Sequence, residues 1–215
     1  AVNDRIDGGG GDDVINGFDG DDYITAGSSN DTVNAGDGND FVEGGESQDI
    51  LNGEAGDDIL NGGESNDVLS GGAGNDLLLG DESNDIIFGG DGNDTIDGGS
   101  SIETIEGGAG NDVILGGAGT DTLQGDGGND FIDGGINNDV VVYSGNRVVY
   151  DVMDNLNGSL TITDLRPGSP DGTDTVTEVE MVQFADQTLS LAGAVTSSSP
   201  ISLDLDRSGT IEVTG

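Results

Sequence analysis

The chain has no cysteine and no histidine, so neither disulfides nor thiolate and imidazole metal ligands can hold it together. The lack of His also removes the commonest general base. Cations are scarce: four Arg and no Lys stand against 44 acidic residues, a formal net charge of -40 on 215 residues. So acidic a chain excludes nucleic acid as a partner, disfavours a bare anionic membrane, and cannot pack compactly unless something cationic neutralises it. No apolar run approaches the roughly 20 residues that a membrane-spanning helix needs, so membrane insertion is not expected. The first residues do not read as a signal peptide, and none is expected in them. Aromatics make up 4% and Gly supplies 42 residues, a composition that ordinarily reads as disorder. A fixed period separates a solenoid from low complexity, and such a period is present.

From Gly8 to Val142 a nine-residue unit repeats fifteen times without an insertion. Its first four positions are rich in Gly, its sixth is always acidic, and its eighth is Ile, Leu or Val; residues 71–79, GGAGNDLLL, show the form. The sixth-position acids are Asp13, Asp22, Asp31, Asp40, Asp49, Asp58, Asp67, Asp76, Asp85, Asp94, Glu103, Asp112, Asp121, Asp130 and Asp139. Before them, Asp4 and Ile6 read as the tail of a further unit, which predicts a piece cut from a longer protein. Gly in the loop permits positive φ and lets carbonyl oxygens converge. The three residues after each acid suit a short strand whose middle side chain points to one face. The eighth positions, from Ile15 to Val141, then stack as a narrow aliphatic core.

One nine-residue unit cannot close a turn on itself, so two units per turn are expected. The fourth positions show that doubling independently. They are Gly20, Gly38, Gly56, Gly74, Gly92, Gly110 and Gly128 in alternate units, with Gly11, Ser29, Ser47, Ser65, Ser83, Ser101, Gly119 and Asn137 interleaved. The true period is eighteen residues, and the Ser-bearing flank one differs from the Gly-bearing flank two.

GGAGNDLLL, GGDGNDTID and GGAGNDVIL resemble the calcium-binding nonapeptide of the RTX (repeats-in-toxin) family. The resemblance implies an all-β fold: a right-handed parallel β-roll with two nonapeptides per turn, followed by a small β capping region. It implies a calcium ion between loops eighteen residues apart, held by the acid side chains of both, Asp4 included. Backbone carbonyls complete the shell, by the family pattern those of Gly36, Gly38, Gly53, Ala55, Gly56, Gly71, Gly72, Ala73, Gly74, Gly89, Gly90, Asp91, Gly92, Gly107, Gly108, Ala109 and Gly110. Hard oxygen ligands, roughly six of them, suit calcium over transition metals. Eight acids per flank leave seven gaps, hence about fourteen sites of this type. About fourteen divalent ions carry roughly +28, which brings -40 to about -12, a charge compatible with a soluble fold. Without them, carboxylates about 4.8 Å apart repel by about 1 kcal/mol per pair even in water, so folding is expected to require calcium. Flank two, with Gly at every fourth position, is expected to bind more tightly; the weakest sites should flank Glu103, where GGSSIETIE departs furthest from the pattern.

Two further rows leave their roles open. Glu46, Glu64 and Glu82 fall at the third position of successive flank-one loops, as a cation or ligand strip or as a solvated acidic edge. Tyr23, Phe41, Ile59, Leu77, Thr95, Val113 and Phe131 form an outward apolar row, as a contact surface or as residues selected by β-propensity alone. The chain divides into a roll over 1–142, a β-rich cap over 143–195, and a linker with the start of a DLDxxG-type module over 196–215. In the cap, RVVYDVMD, SLTITDL and VEMVQFAD read as strands, with Asn157-Gly158 turning between the first two. A solenoid end needs such a cover. LRPGSPDGTDTVTEVEMVQFADQTL resembles the segment that follows many RTX arrays. Asp204, Asp206 and Ser208 have the first spacings of an EF-hand-like loop, but Gly215 stands where its Glu should be, so they are weaker calcium candidates.

The function expected is therefore a calcium-binding structural module of a large secreted or surface protein, such as an adhesin, exported by a type I route and folded by calcium outside the cell. The alternative is the appendage of a secreted protease, lipase or alginate epimerase. In either case catalysis would lie outside this fragment: without His, Cys or Lys it could offer only carboxylate chemistry. A surface or polysaccharide partner is left unspecified.

Overall fold

The computed structural model describes residues 2–191 and the backbone of two short strands, Ser202–Leu205 and Ile211–Thr214. Each nonapeptide starts one strand of the two main sheets just after its acid, most of them running on into the first positions of the next unit before the loop turns, as in Val14–Asp19. Ser100–Ser101, Ala118–Gly119 and Ile136–Asn137 add a small third sheet. Successive strands of the main sheets go to opposite sheets, as the eighteen-residue period requires. One sheet stacks Arg5–Gly10, Tyr23–Ser28, Phe41–Glu46, Ile59–Gly63, Leu77–Asp81, Thr95–Asp97, Val113–Leu115 and Phe131–Asp133. The other stacks Val14–Asp19, Thr32–Asp37, Ile50–Ala55, Val68–Ala73, Ile86–Asp91, Thr104–Ala109, Thr122–Gly127 and Val140–Val142. All these pairings are parallel with register i to i+18, for example Ile24↔Val42 and Leu51↔Leu69. The result is an all-β parallel solenoid of about eight turns, a β-roll. The single helical turn among the described residues is the 3-10 segment Arg147–Val149.

The core is the eighth-position row of each sheet. Ile24, Val42, Leu60, Leu78, Ile96, Ile114 and Ile132 face Ile15, Val33, Leu51, Leu69, Ile87, Ile105, Leu123 and Val141, all buried. Full burial of each such side chain is worth about 1.5–3 kcal/mol. Seventh-position side chains stand on the outside, as expected: Ile59, Val113 and Phe131 are exposed, and Tyr23 stacks on Phe41 with ring centroids 4.8 Å apart.

Past Val142 the chain does more than cover the end. Thr173–Thr177 pairs in parallel with Phe131–Asp133, and Met181–Gln183 with Val140–Val142, so the cap contributes one further turn to both sheets. The antiparallel strands Tyr150–Asp154, Ser159–Asp164 and Thr188–Ser190 then close the two edges. The first hairpin is wider than an Asn-Gly two-residue turn: the Asn155 N–H donates to the Ser159 carbonyl at 3.0 Å, leaving Leu156, Asn157 and Gly158 as its tip. Tyr143, Tyr150 and Phe184 pack together beneath, with centroids 5.1–5.7 Å apart.

Of the weaker candidate ligands near the C-terminus, Asp204 falls in the strand Ser202–Leu205, opposite Glu212 of Ile211–Thr214. Asp206 and Ser208 lie outside the described residues.

Candidate metal centre

Each acid sits at the junction of loop and strand, and the sheet ladder fixes its backbone. The Tyr23 N–H donates to the Asp4 carbonyl at 2.9 Å and the Leu77 N–H to the Asp58 carbonyl at 2.8 Å, a bond repeated up both flanks. Stacking by eighteen residues therefore turns the sixth positions into two straight rows. Within a row, every repeat acid below the last rung except Asp85 donates its backbone N–H to Oδ1 of the acid one turn above: Asp22 to Asp40 at 2.7 Å, Asp49 to Asp67 at 2.7 Å, Asp76 to Asp94 at 2.8 Å. The same bond joins Asp4 to Asp22 and Asp13 to Asp31 at the open end.

The second oxygen of each carboxylate is the informative atom. From Asp13 to Asp139 every sixth-position Asp keeps Oδ2 buried without a hydrogen-bond partner, and Glu103 leaves both Oε1 and Oε2 so. Buried carboxylate oxygens without donors are strongly unfavourable, and their recurrence on every turn calls for a cation between turns. Among the described residues no three acidic side chains converge on a point. A cation between two rungs would thus meet one carboxylate from each, and backbone carbonyls must supply the rest.

The loops provide such carbonyls at close spacing. At flank two, Gly56 has φ 135° and a Cβ there would lie 1.7 Å from the Gly38 carbonyl oxygen. No side chain fits such an approach. At flank one, the Ser residues of the equivalent position sit at φ 78–105°, as in Ser47 and Ser101, a left-handed region that a small polar residue tolerates at some cost. The Gly/Ser alternation in the sequence records this difference in loop shape. At flank two the third-position carbonyls of Ala55, Ala73, Asp91 and Ala109 each accept the fourth-position N–H from the turn below, at 2.7–2.8 Å. A carbonyl has a second lone pair to offer.

With no cation, burial dominates the electrostatics. It pushes Asp58, Asp67, Asp85 and Asp112 up to about 7, against the N–H bond from the rung below, with neighbouring carboxylates adding to the rise. Asp49, Asp76 and Asp139 rise to about 6 for the same first cause. Glu103 rises furthest, to about 9, through burial and then its side-chain contact with Asp121. Glu103 is also where the row breaks. The Asp67 N–H donates to Asp85 in the regular way, but the Asp85 N–H makes no such bond to Glu103, although the Glu103 N–H still donates to Asp121 at 2.9 Å. One extra methylene carries the carboxylate away from Asp85 towards Asp121.

Both rows run on into the cap, which sequence reasoning missed. The Asp130 N–H donates to Asp174 Oδ1 at 3.0 Å, and the Asp139 N–H to Glu180 Oε2 at 2.8 Å. Gly172-Thr173-Asp174-Thr175-Val176 repeats the second half of a nonapeptide, and Glu180-Met181-Val182 keeps the acid two residues before the aliphatic. That spacing was the available signal, hidden because the intervening hairpin interrupts the period. Asp174 differs from the rungs below: its Oδ2 accepts the Tyr143 hydroxyl at 2.8 Å. Beside it, Arg166 pairs with Asp164 at 2.8 Å and Asp171 at 2.6 Å, and the Tyr150 hydroxyl donates to Asp171.

The Glu row expected at flank one is present as an exposed edge, where Glu43, Glu64, Asp81 and Glu82 line a shallow trough with Asn61. These side chains are solvated and not part of the buried rows.

A parallel β-roll with a buried, donor-poor carboxylate on each turn of two flanks defines a solenoid whose rows suit cation binding. The family described as RTX calcium-binding nonapeptide repeat matches residues 1–33, 25–60, 34–69, 43–78, 70–102, 97–132 and 106–141, and the chain belongs to it. No curated protein matches the chain. Among the described residues no helix is long and apolar enough to cross a membrane.

Proposed function

We propose that this chain is a calcium-folded structural module of a large secreted RTX protein, an adhesin or other surface protein, divided into a roll over 1–142, a cap over 143–195 and a connection onward over 196–215. The observation that carries the reading is the unpartnered buried oxygen on every sixth-position acid from Asp13 to Asp139. The sixth-position carboxylates hold the ions, with the loop carbonyls completing about fourteen shells of hard oxygens. When bound, calcium supplies the positive charge that lets these carboxylates stack. The protein's own part is to space the ligands, one carboxylate per turn and flank, and to keep them dry.

Cytosolic calcium is too low to fill sites of the affinity that extracellular modules have, so the chain would stay extended for export and fold outside. The repeated acids are committed to the rows and the sequence offers no His, Cys or Lys for other chemistry, so a catalytic motif elsewhere in the parent chain would favour the enzyme appendage, and long tandem extracellular domains the adhesin. The test is a calcium titration followed by circular dichroism and calorimetry, with magnesium as control. A cooperative coil-to-β transition with about a dozen ions taken up at sub-millimolar to millimolar calcium is expected. A β-rich fold already present in chelator at neutral pH overturns the reading.

A further inference from the structure

The two rows meet the cap in different ways. On flank two the last acid, Asp174, has both oxygens satisfied, Oδ1 by the Asp130 N–H at 3.0 Å and Oδ2 by the Tyr143 hydroxyl at 2.8 Å. Asp174 itself has no oxygen left without a donor, so on this edge only Asp130 Oδ2, buried and unpartnered below it, remains for a cation. On flank one, Glu180 takes the place of the next rung: its Oε2 accepts the Asp139 N–H at 2.8 Å, as each Asp does for the rung below it. Among the described residues no hydrogen bond reaches its Oε1, and Asp139, fully buried at 0% exposure, keeps Oδ2 unpartnered. The backbone stacking continues too. A Cβ on Gly134 would lie 2.3 Å from the Glu178 carbonyl oxygen, just as one on Gly116 would lie 2.7 Å from the Gly134 carbonyl oxygen. Glu178 thus places its carbonyl where the next repeat would place its first one.

We propose that the cap adds a cation site from outside the repeats, built by Asp139, Glu180 and the Glu178 carbonyl, while it closes flank two with the Tyr143 hydroxyl. The loop that supplies it is short: Glu178–Glu180 spans three residues where Gly134–Asp139 spans six. Fewer carbonyls are therefore available, and waters fill the shell, which calcium tolerates. This site is filled last. Glu103 shows that a Glu does not guarantee such a rung, since the Asp85 N–H makes no bond to it; Glu180 hands its oxygen to the standard place. The consequence is that a carboxylate from each side of the gap is open to calcium on the Glu180 edge, but from one side alone on the Asp174 edge. At the edge beside Tyr143 the Tyr143 hydroxyl takes the Asp174 oxygen that a cation would otherwise share with Asp130.

This inference rests on the calcium reading above, and native mass spectrometry of the full chain in calcium separates the two. Glu180→Gln keeps an oxygen to accept the Asp139 N–H but loses the charge, and is expected to bind one ion fewer than the unmodified chain. Asp174→Asn removes the same charge from the other edge and is expected to leave the count unchanged. An unchanged count in Glu180→Gln, or an equal loss in both variants, overturns the proposal. Failure of the unmodified chain to bind calcium at all overturns the underlying reading instead. Near-ultraviolet circular dichroism of the Tyr143, Tyr150 and Phe184 cluster reports whether the cap is docked in each variant. If Glu180→Gln undocks it, hydrogen exchange on the unmodified chain decides: the Asp139 amide should gain protection at higher calcium than the Asp121 amide, and simultaneous protection of the two overturns the proposal.

Discussion

A single methylene separates Glu103 from the other repeat acids, yet it withdraws a carboxylate from one gap and crowds the next. Glu103→Asp is expected to restore the bond from the Asp85 N–H and to lower the calcium midpoint, read by calorimetry; an unchanged or raised midpoint would show that the Glu is accommodated. Backbone conformation sets a second residue-scale contrast. Gly56→Ala puts a Cβ into the Gly38 carbonyl at φ 135° and is expected to cost well over about 1 kcal/mol in urea unfolding with calcium present. Ser65→Ala, at φ 79°, keeps its Cβ and should stay within about 0.5 kcal/mol. Equal costs at the two positions would mean that the loops of the two flanks are not shaped as described.

The element that matters is the row, not the strand. A strand of three to six residues has little stability alone, and each acid is tied to its neighbours eighteen residues away. Burial raises the carboxylates of the metal-free row from an ordinary value near 3.8 to about 6–7 in the middle of the roll. Because these folded-state values lie above the unfolded ones, their contribution to the metal-free fold is fully present below about pH 4 and is lost as pH rises through 6 to 7. In chelator, acidification from pH 7.5 to about 4.5 is therefore expected to increase β content in circular dichroism. With calcium the dependence runs the other way: protons compete for the same oxygens, so the calcium midpoint should rise as pH falls through that range. A midpoint independent of pH between 7.5 and 5 would mean that the rows do not hold the ions.

At the scale of the whole molecule, a charge of -40 opposes any compact state. Two contributions to that opposition differ in how salt affects them. Repulsion between exposed acids such as Glu46 and Glu64 is screened, with a Debye length of about 3 Å at 1 M salt. The unpartnered oxygens of the buried rows are not relieved by screening, because they lack a donor or a cation in contact. Sodium chloride at 1 M is thus expected to leave the chain unfolded in chelator, and calcium at low salt to fold it, as followed by hydrodynamic radius. Folding by sodium alone would assign the calcium requirement to charge repulsion rather than to ligation.

The repeat by itself determined the period, the two sheets, the aliphatic core from Ile15 to Val141 and the alignment of the acids, because an uninterrupted period of eighteen leaves one register for every strand. It also flagged Glu103 as the odd rung, although only the structure showed the carboxylate turned towards Asp121. The tertiary structure alone decided how the rows end. Asp174 and Glu180 are separated from the last repeat acids on their flanks, Asp130 and Asp139, by 44 and 41 residues. No period links them, and their place is set by hairpin closure and by the packing of Tyr143, Tyr150 and Phe184. Long-range contacts of that kind are specified by shape and burial, which a linear spacing does not carry.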